Sequence, residues 1–208
     1  MNYPILMADI LQSSERNSKT LIAEFKSMVA YFNKKHRATL LSPLTITLGD
    51  EFQGIIDTIE NGIKLLFEIE EFIIKKEYGF KLRFVLNYGR IDTEVNKKKA
   101  YEMLGPGLTE SRKILNSLKT KESRFWIHTS KKSASNLIIN KAFVIYQSFT
   151  DSWNIKDLKI VTEFLAHKDY KKVAEIIGID PSSAWRRKKS LKINEYIYIR
   201  ELILFISR

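Results

Sequence analysis

Two hydrophobic periods alternate through the larger part of this 208-residue chain and then stop alternating. Short apolar runs with the two-residue period of a strand are interleaved with longer stretches whose apolar residues recur every three or four positions, as on one face of a helix. Pro4 to Ile10 (PILMADI) is the first run, and its acid comes at the strand's C-terminal end. From about Ser14 to His36, apolar residues at Leu21, Ile22, Phe25, Met28, Val29 and Phe32 predict a helix. Leu44–Leu48 and Phe52–Ile56 flank Gly49-Asp50-Glu51 and predict a hairpin. A second helix is expected over Ile59–Lys76, then a strand over Lys81–Tyr88. A short strand at Ala100–Leu104 and a helix over Leu108–Leu118 follow, with strands at Arg124–Thr129 and Lys141–Phe149.

The order β-α-β-β-α-β defines an α+β class: a ferredoxin-like, palm-type antiparallel sheet with two helices on one face. After Phe149 the strand signals end, and the remainder has helical spacing broken only at Gly178 and Pro181. The boundary is placed near Thr150, giving a sheet domain over residues 1–150 and a small all-α domain over 151–208. A hydrophobic content of 44% supplies a core for both. No apolar run is long enough to span a bilayer and the N-terminal residues lack a leader pattern, so no membrane partner and a cytoplasmic location are expected.

In the expected topology the hairpin lies beside the first strand, which brings Asp9 and Asp50 to one end of the sheet. Two carboxylates so placed repel each other, and a divalent cation relieves that repulsion while accepting a ligand's phosphate oxygens. The chain has no cysteine and three scattered histidines, His36, His128 and His167, which excludes thiolate sites and disfavours zinc. Carboxylate oxygens favour Mg2+ or Mn2+. Against this stand simpler roles: Asp9 as the cap of a helix starting near Ser13, and Asp50 as a turn residue. Glu51 is expected on the opposite side of the hairpin from Asp50, solvated or paired with a lysine. Arg83 and Arg90 flank the third-strand region and are candidates for phosphate contact or for plain surface roles. His128 is expected to pack beside Trp126.

These segments carry a resemblance. LMADILQSS and TLGDEFQGII resemble the two metal-binding motifs of class III nucleotidyl cyclases, and the second also resembles the GGDEF signature of diguanylate cyclases, with Leu48 in place of the first glycine. LRFVLNYGRIDTE and YEMLGPGLTESRKIL are similar to the cyclase strand and helix that follow. With its short helical tail the whole chain is most similar to the SatD family of bacterial proteins. The resemblance implies Asp9 and Asp50 as metal ligands, with the Ile10 carbonyl as a third, and a nucleoside triphosphate or other nucleotide as ligand. Thr109 stands where those cyclases carry an asparagine, and their arginine falls on Lys113 or, shifted by one, Arg112. The resemblance thus implies metal and phosphate binding more directly than turnover.

Net charge is +11, from 35 Lys and Arg against 24 Asp and Glu, which favours a polyanionic partner. Its distribution sharpens the expectation: Pro181–Lys192 (PSSAWRRKKSLK) holds five basic residues and no acid. The spacing predicts a helix-turn-helix, with a first helix over Tyr170–Ile177, Gly178 in the turn and a second helix starting at Pro181 with Asp180 as its cap. In such units the second helix enters the major groove of duplex DNA. Ser182, Ser183, Trp185 and Arg186 are then candidate base readers, and Arg187, Lys188, Lys189 and Lys192 candidate phosphate contacts. The alternative is a solvated basic face that packs the domains or binds protein. The last helix, Glu195–Phe205, has more apolar residues (Ile197, Ile199, Leu202, Ile203, Phe205) than one short helix needs, which suggests a homodimer contact. Two functions follow: a DNA-binding regulator whose sheet domain binds metal and nucleotide, or an active metal-dependent nucleotidyl cyclase.

Overall fold

Five strands form one mixed sheet in the computed structural model, which describes residues 1–11, 18–131 and 133–208. The strands are β1 (Asn2–Ile10), β2 (Leu40–Ile46), β3 (Glu51–Ile56), β4 (Leu82–Arg90) and β5 (Phe125–His128), in the order β2-β3-β1-β4-β5. The first four pair antiparallel in the ferredoxin-like order, and β5 adds to β4 in parallel. The expected hairpin forms between β2 and β3. Of the helix expected from Ser14, α1 covers Ser18–Lys35; the helix start near Ser13 that Asp9 would cap lies outside the described residues. Helix α2 (Ile59–Lys75) begins at the Thr58 cap, whose hydroxyl accepts a hydrogen bond from the Asn61 amide.

Alternation along the strands sorts the core into two layers. Leu6, Ala8 and Ile10 of β1, with Phe84 and Leu86 of β4, face α1 and α2. Ile5 and Met7, with Ile55 and Val85, face the opposite way, where Leu108 and Leu115 of α3 (Pro106–Ser117) cover them. Helices therefore lie on both faces, not only on one. The crossing of α3 over β4 is tight because two glycines meet there: a Cβ on Gly107 would come 2.6 Å from the Gly89 carbonyl carbon. Residues 100–104 form no strand.

The run Lys141–Phe149 is not a strand. It lies within α4 (Ser133–Ser152), which buries Ile139, Ala142, Phe143 and Tyr146. That spacing is helical. Val144 and Ile145 are the β-branched residues that gave the segment its strand-like look, and they are exposed. Thr150, where the sequence changes character, lies in the last turns of α4.

The tail continues as α5 (Leu158–Ala166), α6 (Tyr170–Ile177), α7 (Pro181–Ser190) and α8 (Ile193–Ser207). It docks on the sheet domain through one continuous core in which Tyr146 of α4 and Trp153 both pack on Tyr196 of α8. Trp153 Nε1 donates to the Leu191 carbonyl at 2.9 Å, Tyr196 donates to Glu71 of α2, and Arg200 pairs with Glu71. A buried pair, Arg124 to Glu70 at 2.6 Å, joins the entry of β5 to α2, and Arg124 also donates to Thr150. Among the described residues no helix is long and apolar enough to cross a membrane.

Candidate functional site

Asp9 closes β1 on the face covered by α3, two residues on from Met7. The register places it opposite Glu51 on β3 and opposite Arg83 on β4, so the three side chains share one face. Arg83 donates to Asp9 Oδ2 at 3.2 Å. The other oxygen, Oδ1, is buried and has no hydrogen-bond partner among the described residues. Burial raises the Asp9 carboxyl to about 6; Arg83 and Lys119 pull against that shift, and the negative charges of Glu51 and Asp50 add to it.

Glu51 is the residue that sequence reasoning misplaced. It is buried, accepts from the Thr47 hydroxyl at 2.8 Å and pairs with Arg112 of α3. Buried in this way, it has an arginine and not a lysine as its ionic partner among the described residues, because strand register turns it toward Asp9. The signal was the pairing of the two strand ends, which a single sequence does not fix. Asp50 sits one residue away in the turn; its carbonyl accepts from the Ile10 amide at 3.0 Å and its charge is felt at Asp9. Asp9, Ile10 and Asp50 are thus brought to one sheet end, as expected, and Arg112 joins them. Thr109 and Lys113 lie exposed on α3. Arg90 is exposed and pairs with Asp92, and His128 Nδ1 lies 2.8 Å from Asn87 Oδ1.

The second candidate site is on the tail. Helix α6 ends at Gly178, whose φ of 76° is left-handed, and the Gly178 and Ile179 amides both donate back to the Ala174 carbonyl. After the turn, Asp180 caps α7 by accepting from the Ser183 amide at 2.9 Å, with Pro181 in the first turn. Hydrogen bonds from the Ser182 hydroxyl first, and then from Ser183, hold the Asp180 carboxyl well below the usual carboxylate range. Val173, Ala174 and Ala184 are buried where the two helices cross.

On α7 the basic residues divide into two groups. Ser182, Trp185, Arg186 and Lys189 are exposed and fall at i, i+3, i+4 and i+7, so they form one face. Lys189 stacks its ammonium 3.9 Å from the centre of the Trp185 ring, and Arg186 donates to Ser183 Oγ at 3.1 Å. Arg187 points the other way, to the buried Asp157, and Lys188 donates to the Lys168 carbonyl at 2.9 Å. Those two hold the helix in place. Lys192, exposed, takes a left-handed φ of 52° at the start of α8.

The fold and these two sites define a class: a palm-type α+β sheet domain carrying a buried acidic strand end, followed by a helical unit with a basic second helix. A curated-protein search finds no match to the sequence. The SatD family matches residues 3–204, and the chain belongs to that family. Among solved structures, the chain is similar to a bacterial light-regulated adenylyl cyclase at 13% identity, with 61% of this chain and 74% of that one covered and a TM-score of 0.44. It is also similar to the guanylyl cyclase Cya2 at 15% identity, covering 56% and 70%, with a TM-score of 0.37.

Proposed function

We propose that this SatD-family protein is a DNA-binding regulator in which α7 reads duplex DNA and the sheet domain binds a nucleotide with Mg2+ or Mn2+. The observation that carries the reading is the exposed face of Ser182, Trp185, Arg186 and Lys189 on the second helix of a capped helix-turn-helix. Two cations, an aromatic ring and a hydroxyl on one solvent-facing stripe supply the groups that contact base edges and phosphates. Titrating full-length protein into labelled duplexes at several salt concentrations tests it. Log affinity is expected to fall with log salt at a slope of about −0.9 per phosphate neutralised, so roughly −3 if Arg186, Lys189 and Lys192 each meet one. Absence of salt-dependent binding to any duplex refutes the reading.

For the sheet domain, support comes from the unpartnered Oδ1 of Asp9. Asp9, Asp50 and the Ile10 carbonyl offer oxygen only, the donor type that magnesium and manganese take. No cluster of three or more His, Cys, Asp or Glu side chains among the described residues could hold a metal ion, so a nucleotide's phosphate oxygens would complete the shell. A bound cation would neutralise phosphate charge, while Arg112 and Arg83 stand close enough to the carboxylates to exchange onto phosphate. Calorimetric titration with Mn2+ and a nucleoside triphosphate should give binding that Asp9→Ala and Asp50→Ala each weaken at least tenfold. Binding by both variants as tight as that of the unmodified protein refutes this part. An Asp50-dependent cyclic nucleotide product in the same mixtures would instead establish the cyclase alternative.

A further inference from the structure

Helix α8 has two unlike faces. Ile193, Tyr196, Ile199 and Ile203 are buried against the rest of the chain, so Ile199 and Ile203 are unavailable to a partner. The outward face carries Tyr198 (64% exposed), Leu202 (48%) and Phe205 (74%), with Glu201 and Arg208 beside them along one shallow groove. Tyr198, Glu201, Leu202 and Phe205 fall at i, i+3, i+4 and i+7, one stripe of the helix, and Arg208 follows directly on its last residue, Ser207. Three large apolar side chains exposed together on a surface helix mark an interaction face.

The order of charge along the stripe points to its occupant. Glu201 and Tyr198 lie toward one end, Arg208 lies at the other, and Leu202 and Phe205 lie between them. We propose that this face pairs with the same face of a second copy of the chain, the two α8 helices running antiparallel across a two-fold axis. Placing the axis between positions 203 and 204 sets Leu202 against Phe205 of the partner subunit, and Phe205 against the partner's Leu202. Glu201 and Tyr198 then lie level with the C-terminal end of the partner's helix, where Arg208 of the partner subunit follows its last turn. The arrangement is self-complementary: apolar at the centre, with acid and ring facing guanidinium at each end. In the single chain Arg208 reaches Glu60 at 3.3 Å while staying 65% solvent-exposed as a side chain, so it is accessible to a partner. A single helix pair is small beside the roughly 1,200–2,000 Å² of stable specific interfaces, so the association is expected to be weak, on the order of micromolar.

Sedimentation equilibrium of the full chain from about 1 to about 200 µM, a span that brackets such an affinity, tests this directly. The mass should rise from 24.3 kDa toward twice that value with concentration. Leu202→Glu with Phe205→Glu should stay monomeric with an unchanged circular dichroism spectrum, and Glu201→Arg, which places like charges together, should weaken association several-fold. The chain has no cysteine, so Leu202→Cys supplies one site for a short bis-maleimide. It should give covalent dimer, whereas Lys172→Cys on α6 should give none. A wild-type chain that stays monomeric across the range, a Leu202→Glu/Phe205→Glu chain that still dimerises, or equal cross-linking at both cysteines would each overturn the proposal.

Discussion

Asp9 shows how one residue carries a cost that function can recover. Its carboxyl sits at about 6 because burial removes water from the charged form, and Arg83 offsets only part of that loss. An aspartate whose pKa rises on folding opposes folding when it is ionised. That cost is absent below the unfolded pKa of about 4, grows as pH climbs, and is complete above the folded value near 6. The metal-free Asp9→Asn protein should therefore be more stable than wild type at pH 8, by at most about 3 kcal/mol, with the difference vanishing toward pH 4. Denaturant titrations at the two pH values check this; an equal difference at both would show that Asp9 does not titrate as the buried site requires. Sequence alone singled out Asp9 and Asp50 because the expected strand order brings them to one sheet end and both segments resemble nucleotidyl cyclase motifs. It could not place Glu51, since which of two adjacent acids turns inward depends on register across β1 and β3.

At the scale of elements, the strands and helices up to β4 were legible in kind and order, though β2 covers Leu40–Ile46 and not Leu44–Leu48, because register shifts on either side of Ser42 break its two-residue period. The segment Lys141–Phe149 was not legible in kind. Five consecutive apolar residues from Ala142 to Tyr146 fit a strand as well as a helix, and the true period emerges only when Ile139 is counted with Ala142, Phe143 and Tyr146. The side taken by α3 was also hidden from sequence, because it depends on the close approach of Gly107 to Gly89. That contact admits no methyl group without moving backbone. Gly107→Ala should lower stability by about 2 kcal/mol or more, as overpacking at a fixed backbone does. It should also shift the position of Arg112 relative to Glu51, seen as loss of nucleotide affinity beyond what the stability change explains. A substitution tolerated within about 0.5 kcal/mol would mean that α3 is free to move outward.

For the whole molecule, the tail is tied to the sheet domain through Tyr196, Trp153 and Arg200, and α7 is anchored within the tail by Arg187 and Lys188. The same basic run thus supplies both anchors and free cations, a division the sequence could not reveal because WRRKK looks uniform until the helix is docked. It makes the DNA-binding reading open to a direct comparison. Arg186→Ala and Lys189→Ala, which change the exposed face, and Arg187→Ala, which leaves Asp157 without its partner, should part company in anisotropy titrations on one duplex set. The first two should each reduce affinity, by about 1–3 kcal/mol for Arg186→Ala on a preferred site and by a loss of about one unit of salt slope for Lys189→Ala. Arg187→Ala should instead lower the melting temperature while leaving the salt slope of the folded protein unchanged. Equal effects of all three on DNA binding, or none from Arg186→Ala and Lys189→Ala, would contradict the assignment of α7 as the DNA-reading helix.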